Sequence, residues 1–180
     1  MVYVLLGTGF EEVEAITPLD LMRRAQIEVM TVGVNGKTVY GAHGIGVEAD
    51  IELGQMDLTD MDMIVLPGGL GGVTSVRASK EAMDALAFAW ENDKFVAAIC
   101  AGPTVLADLG ITHGRNATCY PGCEAGMETA QIAENAAFVR DGKLITGTSA
   151  GCAVPFGLSL VAALKGQKTA DNVAAQFVIR

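Results

Sequence analysis

Short apolar runs alternate along the chain with longer amphipathic stretches. Residues 2–6 are continuously apolar and read as a buried strand, followed by a turn at Gly7-Thr8-Gly9. Residues 10–25 read as a helix, with Glu11, Glu12 and Glu14 in its first turns, where the helix dipole favours acids. Pro18 lies inside it and cannot donate to the carbonyl of Glu14, so a kink is expected there. Residues 27–32 read as a second strand. Asn35-Gly36 is a hairpin signal that joins Val34 to a strand over 38–40, and an extended piece to about Val47 follows His43-Gly44. Residues 63–66 form the third core strand, ending in Pro67-Gly68-Gly69, and residues 70–76, with two more glycines, read as a loop. Residues 79–92 are an amphipathic helix with Met83, Leu86, Ala87 and Trp90 on one side. Residues 95–99 are a fully buried strand, and 103–109 a short helix closed by Gly110. Residues 117–120 read as a strand, and 137–140 and 144–146 flank Asp141-Gly142 as a hairpin. Helices are expected from Ala150 or Gly151 to about Leu164, and over 170–177.

Strands alternating with helices predict a doubly wound α/β sandwich with a mostly parallel central sheet. With no internal repeat, linker or low-complexity tract, one domain over residues 1–180 is the economical expectation. The ligand crevice of such a fold lies beyond the carboxyl ends of its strands. The turns at 7–9, 67–69 and 100–103 converge on that edge. Composition narrows the picture further. The chain has 180 residues, 51% hydrophobic and 18% charged, enough for a substantial core. A net charge of −9 with no basic run argues against nucleic acid or an anionic membrane as partner. No charged segment followed by a cleavable apolar run opens the chain, and no apolar run approaches a membrane span. Four cysteines in such a chain read as free thiols, with the cytoplasm as the expected compartment.

The candidate chemistry centres on F-V-A-A-I-C-A-G-P-T, residues 95–104. Cys100 falls at a strand-to-helix corner, with Pro103 suited to a first helical turn. A helix start offers free N–H groups and partial positive charge, which favour a thiolate. Cys100 is therefore a candidate nucleophile, set against the ordinary fate of a free cysteine as a small buried hydrophobe. Glu11 and Glu14 share a helix face and start at the same sheet edge. Glu14 is either a surface acid stabilising the helix dipole or, beside a thiol, a carboxyl with a raised pKa suited to moving protons near neutral pH. The N–H groups of Gly68, Gly69 and Ala101 are candidates for an oxyanion hole, against an ordinary turn. Of the two histidines, His113 reads as a solvated loop residue and His43 as a surface turn residue. Cys119 and Cys123 lack the further ligands that a zinc site needs, Cys152 reads as packing, and no nucleotide-binding glycine motif follows a strand. No metal or cofactor is expected.

Three stretches, G-F-E-E-V-E-A-I-T-P-L-D-L-M-R-R-A, V-L-P-G-G and A-A-I-C-A-G-P, together resemble the ThiJ/PfpI superfamily, and most of all its DJ-1 branch. The resemblance runs from the first strand to the helix near 150–164. It implies a flavodoxin-like sandwich of the class I glutamine amidotransferase type, usually homodimeric. It further implies Cys100 as the reactive, oxidisable cysteine, Glu14 as its protonated carboxyl partner, and Gly68, Gly69 and Ala101 on the oxyanion side. Arg24 and His43 are implied to approach the pocket across a dimer interface. Three positions depart from the family. Tyr120 stands where the parkinsonism-associated protein has a histidine. Ala101 after the cysteine rules out the peptidase arrangement. Thr148 to Gly151 read T-S-A-G in place of R-G-P-G. The implied activity is cofactor-independent, on α-oxoaldehydes such as methylglyoxal or their early adducts. The alternative is a redox sensor or chaperone-like protein in which Cys100 becomes a sulfinate stabilised by Glu14.

Overall fold

A seven-stranded sheet runs through the computed structural model, which describes residues 1–179; Arg180, the last position of the expected domain, lies outside the described residues. In chain order the elements are β1 (Val2–Leu6), α1 (Glu12–Arg24), β2 (Val29–Gly33), β3 (Thr38–Tyr40), β4 (Gly46–Glu48), β5 (Ile51–Glu52), β6 (Met63–Leu66), α2 (Leu70–Ala78), α3 (Lys80–Glu91), β7 (Phe95–Ile99), α4 (Gly102–Asp108), β8 (Asn116–Ala117), β9 (Gln131–Ile132), β10 (Phe138–Asp141), β11 (Leu144–Gly147), α5 (Ala153–Lys165) and α6 (Gln167–Gln176). The sheet order is β10-β11-β7-β6-β1-β2-β5, and every pairing except β10 with β11 is parallel. This is the doubly wound α/β architecture that the alternation of elements predicts.

The central strands are apolar along their whole length because helices cover both faces. Val2, Val4, Leu6, Val65 and Ile99 point into a core shared with α1, α5 and α6. Their neighbours Tyr3, Leu5, Ile64, Leu66 and Ala98 point into a second core shared with α2, α3 and α4. The strand period of two thus sorts one continuous apolar run between two cores. Helix α1 continues through Pro18 as one element of 13 residues and packs on α5. Gly157 makes that approach close: a Cβ there lies 2.7 Å from Leu21 Cδ1 and 3.0 Å from the Pro18 Cα.

Three local expectations differ from the structure. Asn35-Gly36 does not turn a hairpin. β2 is held between β1 and β5 in the main sheet, while β3 pairs antiparallel with β4. The hairpin turn is instead the segment holding His43-Gly44, where the Gly41 N–H donates to the Ile45 carbonyl at 2.9 Å. The Asn35 side chain serves a different turn, accepting the Thr8 N–H at 3.0 Å. Residues 70–76 are helical as part of α2. Its glycines lower helix propensity, yet they let the helix press on the first turn, since a Cβ at Gly72 lies 2.7 Å from the Phe10 Cα. Strand β8 stops at Ala117, because the Thr118 N–H donates to Thr146 Oγ1 at 2.9 Å and the Tyr120 N–H to the Cys100 carbonyl at 2.9 Å. No helix of the described residues is long and apolar enough to cross a membrane.

Overpacking the α1–α5 contact is expected to be costly. Gly157→Leu should lower stability by about 1–3 kcal/mol in denaturant melts. Gly151→Ala, whose Cβ meets only Ser149 Oγ at 3.8 Å, should stay within about 0.5 kcal/mol of the parent.

Candidate active site

Strand β7 ends at Ile99, and Cys100 follows with a left-handed backbone, φ 65°. A residue with a Cβ is strained there, so neighbours must hold it. The Cys100 N–H donates to the Gly147 carbonyl at 3.0 Å, and its own carbonyl accepts the Tyr120 N–H at 2.9 Å. The chain then enters α4, with Pro103 in the first turn. This corner sets the thiol at the carboxyl edge of the sheet, half-buried.

Helix α1 brings Glu14 to the same point. Its side chain is fully buried, and Oε2 accepts the Gly68 N–H at 2.9 Å. Oε1 has no hydrogen-bond partner among the described residues. Gly68 separates the carboxyl from the cysteine: a Cβ there lies 2.6 Å from Glu14 Oε2 and 2.7 Å from Cys100 Cβ. Gly69, with φ 86°, leaves no room for a side chain either, since a Cβ lies 2.6 Å from the Glu11 amide nitrogen.

Burial pushes the Glu14 carboxyl up to about 7. Hydrogen bonds from the Cys100 thiol and the Gly68 N–H work against the rise, and the charge of Glu11 adds to it. Burial likewise pushes the Cys100 thiol up to about 12, helped by the Glu14 charge and the hydrogen bond to Glu14, and opposed by the Ala101 and Gly69 N–H groups. The expected thiolate-favouring helix start is therefore outweighed, first by burial and then by the Glu14 charge. With the proton on Glu14 the repulsion vanishes, the carboxyl becomes a donor, and the two N–H groups still favour the thiolate. The pair shares one proton around neutral pH.

Of the three N–H groups expected as oxyanion donors, that of Gly68 is engaged by Glu14 instead. A single N–H directed at a buried carboxylate is not free for a second oxygen. Gly69 and Ala101 direct theirs toward the Cys100 sulfur. Above them opens a cleft of about 450 Å³, lined by Glu11, Leu70, Cys100, Tyr120 and Cys123 among others. Glu11 and Tyr120 are thus at the cleft.

His43 and Arg24 do not line this cleft within the chain. His43 Nδ1 lies 2.8 Å from Glu12 Oε2 and 3.7 Å from Glu11 Oε1. Burial opposes ionisation of Glu12, but hydrogen bonds from the His43 ring and from the His43 and Ile45 N–H groups prevail and hold its carboxyl at about 2. The same contact with Glu12 raises the His43 pKa. Ligand atoms of Glu11, Glu12 and His43 lie within 4.8 Å of one another, a cluster that no spacing in the sequence announces. Arg24 closes the far end of α1, about 15 Å along the axis from Glu14, paired with Asp20 at 2.8 Å.

Four residues that line the cleft, Leu70, Pro121, Gly122 and Cys123, are not among the site residues expected from the sequence. Leu70, 76% exposed at the lip, was hidden inside a presumed loop. A large apolar residue directly after P-G-G was the available signal. Cys123 was weighed only as a metal ligand.

A parallel α/β sandwich with a left-handed cysteine at the end of a central strand, facing a buried carboxyl, defines a cysteine-elbow class. The chain belongs to the DJ-1/PfpI family, whose profile matches residues 1–163. It is 34% identical to Protein dj-1beta of Drosophila melanogaster over 98% of this chain and 95% of that one. The crystal structure of that fly protein superposes with a TM-score of 0.94, covering 99% of this chain and 97% of the other. A Parkinson disease protein 7 homolog from Danio rerio is 33% identical over 98% and 96% of the two chains. A Pyrococcus horikoshii protein named as a deglycase is 32% identical over 73% of this chain and 78% of its own.

The raised Glu14 carries a stability consequence. It stays protonated in the fold while the unfolded chain ionises from about pH 4.5, so its contribution is complete at low pH and is lost as pH rises toward about 7. Glu14→Gln removes that loss and keeps an acceptor for Gly68. The variant should match the parent near pH 4, gain stability through pH 7, and exceed it by roughly 3 kcal/mol above, read by thermal melts across pH.

Proposed function

We propose that this chain is a cysteine-dependent, cofactor-independent enzyme acting on α-oxoaldehydes such as methylglyoxal or on their early amine adducts. One observation carries the reading: a buried carboxyl titrating near 7 sits against the thiol at the floor of an open cleft. The relative named as a deglycase supports it.

In the glyoxalase form of the reaction, the Cys100 sulfur attacks the aldehyde carbon while Glu14 takes the thiol proton. The new oxygen faces the Gly69 and Ala101 N–H groups and receives the proton as a hemithioacetal. Glu14, again a carboxylate, removes the proton from that carbon and delivers it to the neighbouring one through an enediol. The resulting thioester is cleaved by water to a 2-hydroxy acid, regenerating the thiol. In the deglycase form, water releases a repaired amine. A carboxyl near 7 serves as acid and base in turn, so no histidine is required.

A second reading has its own support. A protonated Glu14 is a donor aimed at Cys100, suited to stabilising a sulfinate on that sulfur, as in a redox sensor.

Proton NMR of methylglyoxal incubated with the protein, without glutathione or metal, separates the two. Many equivalents of lactate per chain are expected, abolished in Cys100→Ser and lowered about 100- to 10,000-fold in Glu14→Gln. Because the ionised carboxylate is the base, kcat/KM should fall about tenfold per pH unit below about 7. One equivalent of lactate or less sinks the enzyme reading.

A further inference from the structure

Cys123 is a second thiol on the wall of the cleft that holds Cys100, and the aldehyde chemistry does not use it. It stands on a turn tied to the Cys100 corner by two hydrogen bonds. The Tyr120 N–H donates to the Cys100 carbonyl, and the Cys123 N–H donates to the Tyr120 carbonyl, each at 2.9 Å. The turn carries Gly122 and Gly126, both with left-handed backbone, φ 94° and 90°, and with open space where a Cβ would project. The other two cysteines are placed differently. Cys119 is buried, and Cys152 accepts a contact from Ser149 Oγ at 3.7 Å at the start of α5. Neither lines the cleft.

We propose that Cys123 is the resolving thiol for Cys100, so that a hydroperoxide converts the pair into a reversible Cys100–Cys123 disulfide. The Cys100 sulfur attacks the terminal peroxide oxygen. The O–O bond breaks, water or an alcohol leaves, and Cys100 becomes a sulfenic acid, oxidised by two electrons. The Cys123 sulfur then attacks the Cys100 sulfur. The S–O bond breaks, the hydroxyl leaves as water with the thiol proton of Cys123, and the S–S bond forms with no further oxidant. A protonated Glu14 beside Cys100 is placed to supply the proton to the departing hydroxyl, recovering it from Cys123. Disulfide geometry needs the two Cα atoms within about 7 Å, and the glycine-flanked turn supplies the backbone freedom for Cys123 to meet that requirement. The chemistry requires only that Cys100 react with peroxide, and it does not rest on aldehyde turnover.

The test uses the full chain with one equivalent of hydrogen peroxide. Remaining thiols are blocked with N-ethylmaleimide under denaturing conditions, and the non-reduced protein is peptide-mapped by mass spectrometry. The expected result is a linked pair of peptides carrying Cys100 and Cys123, lighter by two hydrogens and separated by dithiothreitol. In Cys123→Ser the link disappears, and further peroxide carries Cys100 to a form with two added oxygens. In the parent protein, Cys100 bearing two oxygens beside a blocked Cys123 overturns the proposal, as does a link between Cys119 and Cys123. The parent map decides the matter even where the variant fails to fold.

Discussion

Burial of one carboxyl against one thiol is the contact on which the site depends. Glu14 is fully enclosed, takes a single backbone hydrogen bond, and leaves one oxygen unmatched. Such a group is costly in its charged form, and the cost is what lifts its pKa toward neutrality. The surrounding fold is arranged to hold that position. Helix α1 begins at the carboxyl edge of the sheet, the loop after β6 carries no side chain at Gly68, and the apolar faces of α1 and α5 anchor the helix behind it. Glu12, two residues earlier, shows the opposite outcome. It also sits in a buried place, but several donors surround it and hold it at about 2. The same residue type, twice within the first turn of α1, is tuned to opposite ends of the carboxyl range by how deeply each is buried and how many donors each meets.

The second constraint is the left-handed Cys100. Its backbone is held by one hydrogen bond to β11 and one from the turn after β8, elements far apart in sequence. Strain of this kind persists only where the surroundings over-determine it, and such places are enriched at working sites. The corner also joins the thiol, through backbone hydrogen bonds, to the turn that carries Tyr120 and Cys123. The cleft is lined mostly by apolar surface, with Glu11, Tyr120 and the two thiols of Cys100 and Cys123 as its chemically distinctive side chains.

Much of the fold was readable because its signals are local. Residues 2–6, 63–66 and 95–99 are uninterrupted apolar runs, and each is a strand over those same residues. Asp141-Gly142 turned the hairpin expected of it. Asn35-Gly36 did not, although its local signal was as strong. The edge of β2 was already occupied by β5, a two-residue strand too short to leave a pattern. Helix α2 leaves no clear sequence pattern for a related reason: Gly71 and Gly72 count against a helix in isolation and are required by the close approach of Gly9 and Phe10. Cys100 could be singled out from its position at a strand end, whereas the position of Glu14 at a helix start fitted a surface acid as well as a partner of the thiol. The division of N–H groups could not be read, because which of Gly68, Gly69 and Ala101 faces the carboxyl and which faces the sulfur depends on orientations that spacing does not encode.

The sequence by itself determined the parallel sandwich and the sheet edge at which the Cys100 corner and the start of helix α1 lie, since apolar runs, turn residues and chain order suffice for these. Tertiary structure alone decided the rest. It buried Glu14 and so raised its pKa, gave the Gly68 N–H to that carboxyl, turned His43 toward Glu12, and placed Cys123 in the wall above Cys100. Titration and hydrogen-bond partnership depend on what surrounds a group in space, and those neighbours come from segments tens of residues apart.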